Sequence, residues 1–165
     1  MKYKKGEFGY WWTVLKGNDD IEWEHVDGDI NCHLKKLTSL KGAPKTINGR
    51  FDCSFNFLID LKYSPESVNG TFDCEGNNLE TLEGAPKTVQ GDFNCVNNNL
   101  TSLNGLPSII VGKSYFFKNA NKHLEIEYEV RKTFPNYSES KIQNEMFRRT
   151  KDKSYLSKEG NSLFL

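Results

Sequence analysis

Residues 70–90 read GTFDCEGNNLETLEGAPKTVQ, and the next 21, residues 91–111, read GDFNCVNNNLTSLNGLPSIIV. Set one above the other, they share glycine, phenylalanine, cysteine, asparagine, two leucines and proline at the same offsets. The register extends outward from there. Cys32, Cys53, Cys74 and Cys95 keep the spacing and account for all 4 cysteines of the chain. Gly28, Gly49, Gly70, Gly91 and Gly112 form a second column, and Leu37, Leu58, Leu79 and Leu100 a third. Leu40, Leu61, Leu82 and Leu103 follow, then Pro44, Pro65, Pro86 and Pro107, then Ile47, Val68, Val89 and Ile110. Six columns in step at one fixed period mean a solenoid, each repeat stacked on the one before.

Each column has a physical cause. Phe51, Phe72 and Phe93, with Cys53, Cys74 and Cys95, alternate with polar residues, the period-2 signature of a short strand with one buried face. Ile30 and Cys32 take those places in the first repeat. Stacked parallel strands lie about 4.8 Å apart, so equivalent side chains form ladders, and cysteine serves as a small buried hydrophobe. Asn56, Asn77, Asn98 and Asn119 fall where the chain leaves the strand, and an amide there can satisfy backbone groups of neighbouring coils. Lys35 breaks that ladder in the first repeat. Proline sets φ on the return, where no ladder hydrogen bond is expected, and glycine eases the bend back into the strand.

A solenoid exposes core at both ends and needs caps. Residues 1–27 are expected to form a β-hairpin-like N-terminal cap: an apolar run, a turn at residues 17–20, then alternating Ile21, Trp23 and His25. Trp11, Trp12 and Trp23 supply the covering area. Residues 28–121 hold the repeats, and residues 122–165 a C-terminal helical cap and tail. LEIEYEV at 124–130 alternates as a strand would, yet Leu124/Tyr128 and Ile126/Val130/Phe134 also keep helical spacing. Its glutamates and lysines favour a helix, ending before Pro135. A second helix is expected from Ser140, with Gln143 completing a capping box.

The repeat pattern G-x-F-x-C-x-x-N-x-L-x-x-L-x-x-x-P-x-x-V-x resembles the leucine-rich repeat, with Phe and Cys in the first two leucine places. It is similar to the short bacterial subclass in which a proline-bearing segment replaces the convex helix. The GAPKT phrases and FDC strands look most like leucine-rich-repeat proteins encoded by tailed bacteriophages. The resemblance covers about residues 28–119. It implies an α/β leucine-rich-repeat solenoid of about five short parallel strands that presents its strand face to another protein. A phage origin further implies a bacterial host protein, a defence component for instance, bound and inhibited or redirected in the host cytoplasm.

Bulk composition narrows the classes. With 22 basic and 22 acidic residues the formal charge is zero, so no global field draws the chain to nucleic acid or an anionic membrane. No apolar stretch approaches the roughly 18–20 residues of a membrane helix. MKYKKGEFGYWW has lysines but neither a long apolar run nor a small-residue cleavage site, so no signal peptide is expected and the chain is expected in the cytoplasm.

Chemistry is sparse. Zinc sites use close cysteine pairs, and a spacing of 21 residues offers none. Stacked strands hold neighbouring cysteines parallel, which disfavours disulfides. His25, His33 and His123 are scattered between the two caps and the first strand, and no phosphate-binding glycine loop occurs. Catalysis, metals and cofactors are therefore not expected. Asp52 and Asp73 are ladder neighbours that could share a proton, though solvation or a basic partner is the simpler expectation.

Outward columns on the strand face read Asn31, Asp52, Asp73, Asn94, Tyr115, then His33, Ser54, Glu75, Val96, Phe117, then Leu34, Phe55, Gly76, Asn97, Lys118. The face is acidic in the middle and aromatic at its end. Asp52, Phe55, Asp73, Glu75, Val96, Tyr115 and Phe117 are the expected partner-binding residues, aromatics anchoring and charges steering. Tyr115 and Phe117 alternatively pack beneath the C-terminal helix. Arg148, Arg149, Lys151 and Lys153 form the one basic cluster, the alternative site for nucleic acid, although a solvated helix end explains it more simply. Self-assembly through an incompletely capped end is the remaining alternative.

Overall fold

Every coil of the chain lays down two short strands, not one. The computed structural model describes residues 5–16 and 24–151, and the chain divides into two compact units, Met1–Asn121 and Lys122–Leu165. The first unit begins with helix α1 (Phe8–Lys16), followed by β1 (His25–Asp27), β2 (Ile30–Asn31), β3 (Thr46–Asn48) and β4 (Phe51–Asp52). Then come β5 (Ser67–Val68), β6 (Phe72–Asp73), β7 (Thr88–Val89), β8 (Phe93–Asn94), β9 (Ile109–Ile110) and β10 (Ser114–Tyr115). Even-numbered strands build a parallel front sheet in the order β10-β8-β6-β4-β2, and odd-numbered strands a parallel return sheet, β1-β3-β5-β7-β9. Register advances by one repeat: Phe51 lies opposite Phe72 and Phe72 opposite Phe93 in front, Ile47 opposite Val68 and Val68 opposite Val89 behind. The unit is a parallel β-solenoid of 21-residue repeats, leucine-rich-repeat-like in architecture.

The return sheet corrects the expectation of a return without ladder bonds. Proline leaves the ladder only at its own position, and pairing resumes at the next residue: Glu66 N–H donates to Lys45 O at 2.7 Å and Lys87 N–H to Glu66 O at 2.8 Å. The glycine column also has a different cause. A Cβ on Gly70 would lie 2.6 Å from the carbonyl carbon of Gly49, so close approach of successive coils excludes a side chain there.

Between the sheets runs a closed aromatic stack. Phe51 and Phe72 have ring centroids 5.7 Å apart, Phe72 and Phe93 also 5.7 Å, and all three are fully buried. In the last coil Ser114 occupies the phenylalanine column, and Phe116, from the cysteine column, extends the stack with its ring 6.4 Å from Phe93. At the first coil Ile30 leaves room that Phe8 fills, 5.9 Å from Phe51. Each ring is worth about 1.5–3 kcal/mol of apolar burial.

The asparagines seal the turn beside that core. Asn77 Nδ2 donates to Cys53 O at 3.1 Å, Cys74 O at 3.0 Å and Glu75 O at 3.3 Å, while its Oδ1 accepts from Leu58 N–H at 3.0 Å. Asn56 and Asn98 repeat the pattern, and Asn119 carries it into the last coil. Buried backbone groups of two successive coils are thereby satisfied by one side chain.

The N-terminal cap is helical, which overturns the hairpin expectation. Phe8, Trp11 and Trp12 sit at i, i+3 and i+4, one face of a helix, and Phe8 and Trp12 are buried in stacked contact at 5.6 Å. A short apolar run does not by itself separate helix from strand. Backbone bonds dock the helix start, Phe8 N–H to Ser39 O at 2.9 Å and Gly9 N–H to Lys41 O at 2.8 Å. Far from being half of a hairpin, His25 lies in β1, paired in parallel with β3. Ile21 and Trp23 lie outside the described residues.

In the second unit, the helical alternative for 124–130 is the one adopted: α2 spans Leu124–Thr133 and α3 spans Glu139–Thr150. Val130, Ile142 and Met146 form their buried core with Ile126 and Phe134 against it. The capping box at Ser140 is not formed. Ser138 is the N-cap, and Gln143 Nε2 donates instead to Glu139 Oε1 at 3.2 Å. No helix among the described residues is long and apolar enough to cross a membrane.

Candidate functional site

The front sheet is built around a repeated local device. In each of the first four coils an Asn or Asp side chain accepts the backbone N–H two residues on: Asn31 from His33 (3.1 Å), Asp52 from Ser54 (3.0 Å), Asp73 from Glu75 (3.2 Å) and Asn94 from Val96 (3.2 Å). After this Asx turn the chain enters left-handed backbone at the next residue, as it also does in the last coil, where Tyr115 makes no such turn. Leu34, Phe55, Gly76, Asn97 and Lys118 have φ of 56, 52, 64, 57 and 57°. The acidic column is therefore structural as well as charged.

The carboxylates are not free. Arg50 Nη2 donates to Asp52 Oδ2 at 2.9 Å and to Asp73 Oδ2 at 2.7 Å. Ser54 Oγ donates to Asp52 Oδ1 at 2.6 Å, and His33 Nδ1 lies 3.2 Å from Ser54 Oγ. Asn94 Nδ2 donates to Asp73 Oδ1 at 3.2 Å and Glu75 Oε2 at 3.0 Å. Burial raises the Asp73 carboxyl above its ordinary value; the Glu75 N–H and Arg50 oppose that shift, and the Asp52 charge adds to it. One polar chain thus runs from His33 to Glu75 across four coils. It contains serine, histidine and aspartate, but Ser54 is buried and donates its hydroxyl hydrogen bond to the arginine-bound Asp52 rather than to His33, so the order is not that of an activated nucleophile. The proton-sharing alternative for Asp52 and Asp73 gives way to a shared arginine.

Of the expected partner-binding residues, Asp52 and Val96 are buried, at 8% and 4% exposure, and take no direct part in a surface. Asp73, Glu75 and Tyr115 are half-buried, with the Tyr115 hydroxyl 3.5 Å from Asp92 Oδ2. Phe55 and Phe117 are exposed, at 43% and 52%. Phe57 and Ile59, absent from the expected set, are also exposed, at 57% and 63%. Their signal lies in the sequence: the second repeat places FNFLID where the third and fourth have GNNLET and NNNLTS.

The four cysteines are reduced and buried, with burial pushing the Cys32, Cys53 and Cys74 thiols far above their ordinary value. They are packing groups and not nucleophiles. Among the described residues no group of histidine, cysteine and carboxylate side chains is placed to hold a metal ion.

One carboxylate compensates part of the basic cluster. Arg148 and Arg149 both grip Glu145, at 2.6 and 2.7 Å, and those bonds hold the Glu145 carboxyl down at about 2. Lys151 ends α3 in left-handed backbone and lines a cavity of about 530 Å³ with Tyr137, Lys141 and Phe147 among others. Lys153 lies outside the described residues.

No protein-family model, no curated protein and no solved structure matches the chain.

Proposed function

We propose that the chain is a non-enzymatic protein-binding module that meets its partner with the front sheet and the turn following it. The observation that carries this reading is the bracketing of a fixed polar strip, Asp73, Glu75 and Asn94, by the exposed rings of Phe55 and Phe117. Side chains held by Asx turns and ladder bonds lose little freedom on binding, and exposed aromatics beside a polar rim are the anatomy of an interface. The GAPKT and FDC phrases support the finer reading: a phage-encoded protein that binds a bacterial host protein, such as a defence component, in the cytoplasm and inhibits or redirects it.

The test is a nuclease-treated pull-down from bacterial lysate with the full chain, comparing wild type with Glu75→Lys/Phe117→Ser. A protein captured by wild type and lost by the double variant supports the reading. Capture of nucleic acid in a parallel pull-down without nuclease, lost in Arg148→Ala/Arg149→Ala, moves the function to α3 instead. Asp52 is unsuited to such a test, because reversing its charge beside Arg50 and Ser54 perturbs the fold first.

A further inference from the structure

The solenoid register turns the chain after the Asx turn into a grid of surface positions. Leu34, Phe55, Gly76 and Asn97 form one column, Lys36, Phe57, Asn78 and Asn99 the next, and Thr38, Ile59, Glu80 and Thr101 the third. In the third and fourth coils all are small or polar. In the second coil all three are large and apolar, and Leu34 extends them into the first coil at 62% exposure. The repeat does not require apolar groups there, and an exposed cluster of this kind marks an interaction site.

The patch is also fixed in place. Phe55 holds a left-handed backbone that a bulky residue adopts only at a cost. Its ring lies over Gly76, where a Cβ would come within 2.6 Å of Phe55 Cδ1, and meets the His33 ring edge-on at 5.6 Å. Phe57 is tied through its backbone, N–H to Leu37 O at 2.7 Å. Its borders carry opposite charge. Lys35 and Lys36 are exposed on the first-coil side, and Glu80 on the third-coil side, with no ion pair to any of them among the described residues.

We propose that this patch docks a segment of another protein carrying aromatic or aliphatic side chains, with carboxylates at the end that meets Lys35 and Lys36 and a cation at the end that meets Glu80. The proposal rests on the protein-binding reading above and names the place and chemistry of the anchor. Opposed charges at the two borders set the direction in which the segment lies.

The probe is a displayed library of random twelve-residue peptides panned on the immobilised full chain, the most enriched peptides then being synthesised and titrated by fluorescence anisotropy. Enriched peptides are expected to combine an apolar core with carboxylates at one end. Phe57→Ser/Ile59→Ser is expected to weaken them at least tenfold, and Lys35→Glu/Lys36→Glu several-fold, whereas Glu66→Lys, an exposed site beside the return sheet, leaves them within twofold. Both patch substitutions replace exposed side chains, and unchanged thermal melts verify the fold. Peptides that lose binding with Glu75→Lys but not with Phe57→Ser overturn the patch while leaving the front-sheet reading intact. Absence of enrichment overturns it as well. A concentration-dependent dimer in sedimentation velocity that Phe57→Ser abolishes makes the occupant a second copy, and also overturns it.

Discussion

Arg50 reaches from one coil to the next: its Nη2 lies 2.7 Å from Asp73 Oδ2 and 2.9 Å from Asp52 Oδ2. One half-exposed guanidinium therefore serves two carboxylates, and the acidic strip is less negative than its sequence implies. Arg50→Ala leaves Asp52 buried beside Asp73 without its counter-charge. Discounted for the solvent around Arg50, a loss of about 1–2 kcal/mol is expected in urea unfolding. No loss would mean that water replaces the guanidinium.

Asn77→Ala removes the only side-chain partner of Leu58 N–H and uncovers carbonyls of two coils. About 3 kcal/mol of destabilisation is expected, at the upper end for leaving buried groups unsatisfied. Asn77→Asp fares no better, since a carboxylate cannot donate to those carbonyls. Denaturant midpoints of both variants check this.

Ser114 Oγ is buried with no hydrogen-bond partner among the described residues. Ser114→Ala is therefore expected to raise stability by about 1 kcal/mol, seen as a higher melting temperature. A lower one would show that the hydroxyl is satisfied in solution.

Tyr63 holds φ at 67° in the column where Gly42, Gly84 and Gly105 hold 91, 86 and 88°. Tyr63→Gly is expected to gain about 0.5 kcal/mol, relief of left-handed strain exceeding the added chain entropy. The reverse change is not symmetrical. Gly84→Ala places a Cβ 2.7 Å from the Leu61 carbonyl carbon and is expected to destabilise. Paired thermal melts test both signs.

Two carboxyls, one in each unit, respond to acid in opposite directions. Glu145 has its carboxyl lowered from 4.5 to about 2, so its contribution is complete above pH 4.5 and is lost as pH falls toward 2. Asp73 is raised above 3.8, so the folded state holds that proton longer, and its contribution falls as pH rises through its folded value. Glu145→Gln is expected to flatten the acid loss of far-UV helicity, and Asp73→Asn to flatten the slope seen by tryptophan fluorescence, which reports only the first unit.

The sequence by itself determined the solenoid, its period and its core columns, because each coil meets its copy in the same register and identical residues must solve identical contacts. Phe72 on Phe93 and the Asn77 ladder were legible for that reason. The tertiary structure alone decided what departs from the repeat. Phe8, Trp11 and Trp12 become a helix because the open end of the phenylalanine stack offers a surface for one helical face, which a short apolar run does not announce. The strand pairing behind the prolines needed the neighbouring coil to supply its carbonyls. Most of the candidate site was of this second kind: the same two-residue spacing that put Asp52 and Asp73 on the front sheet also folded them into Asx turns. Their shared contact with Arg50, 23 residues from Asp73 in sequence, buries Asp52 and fixes Asp73 in place, which no spacing announces.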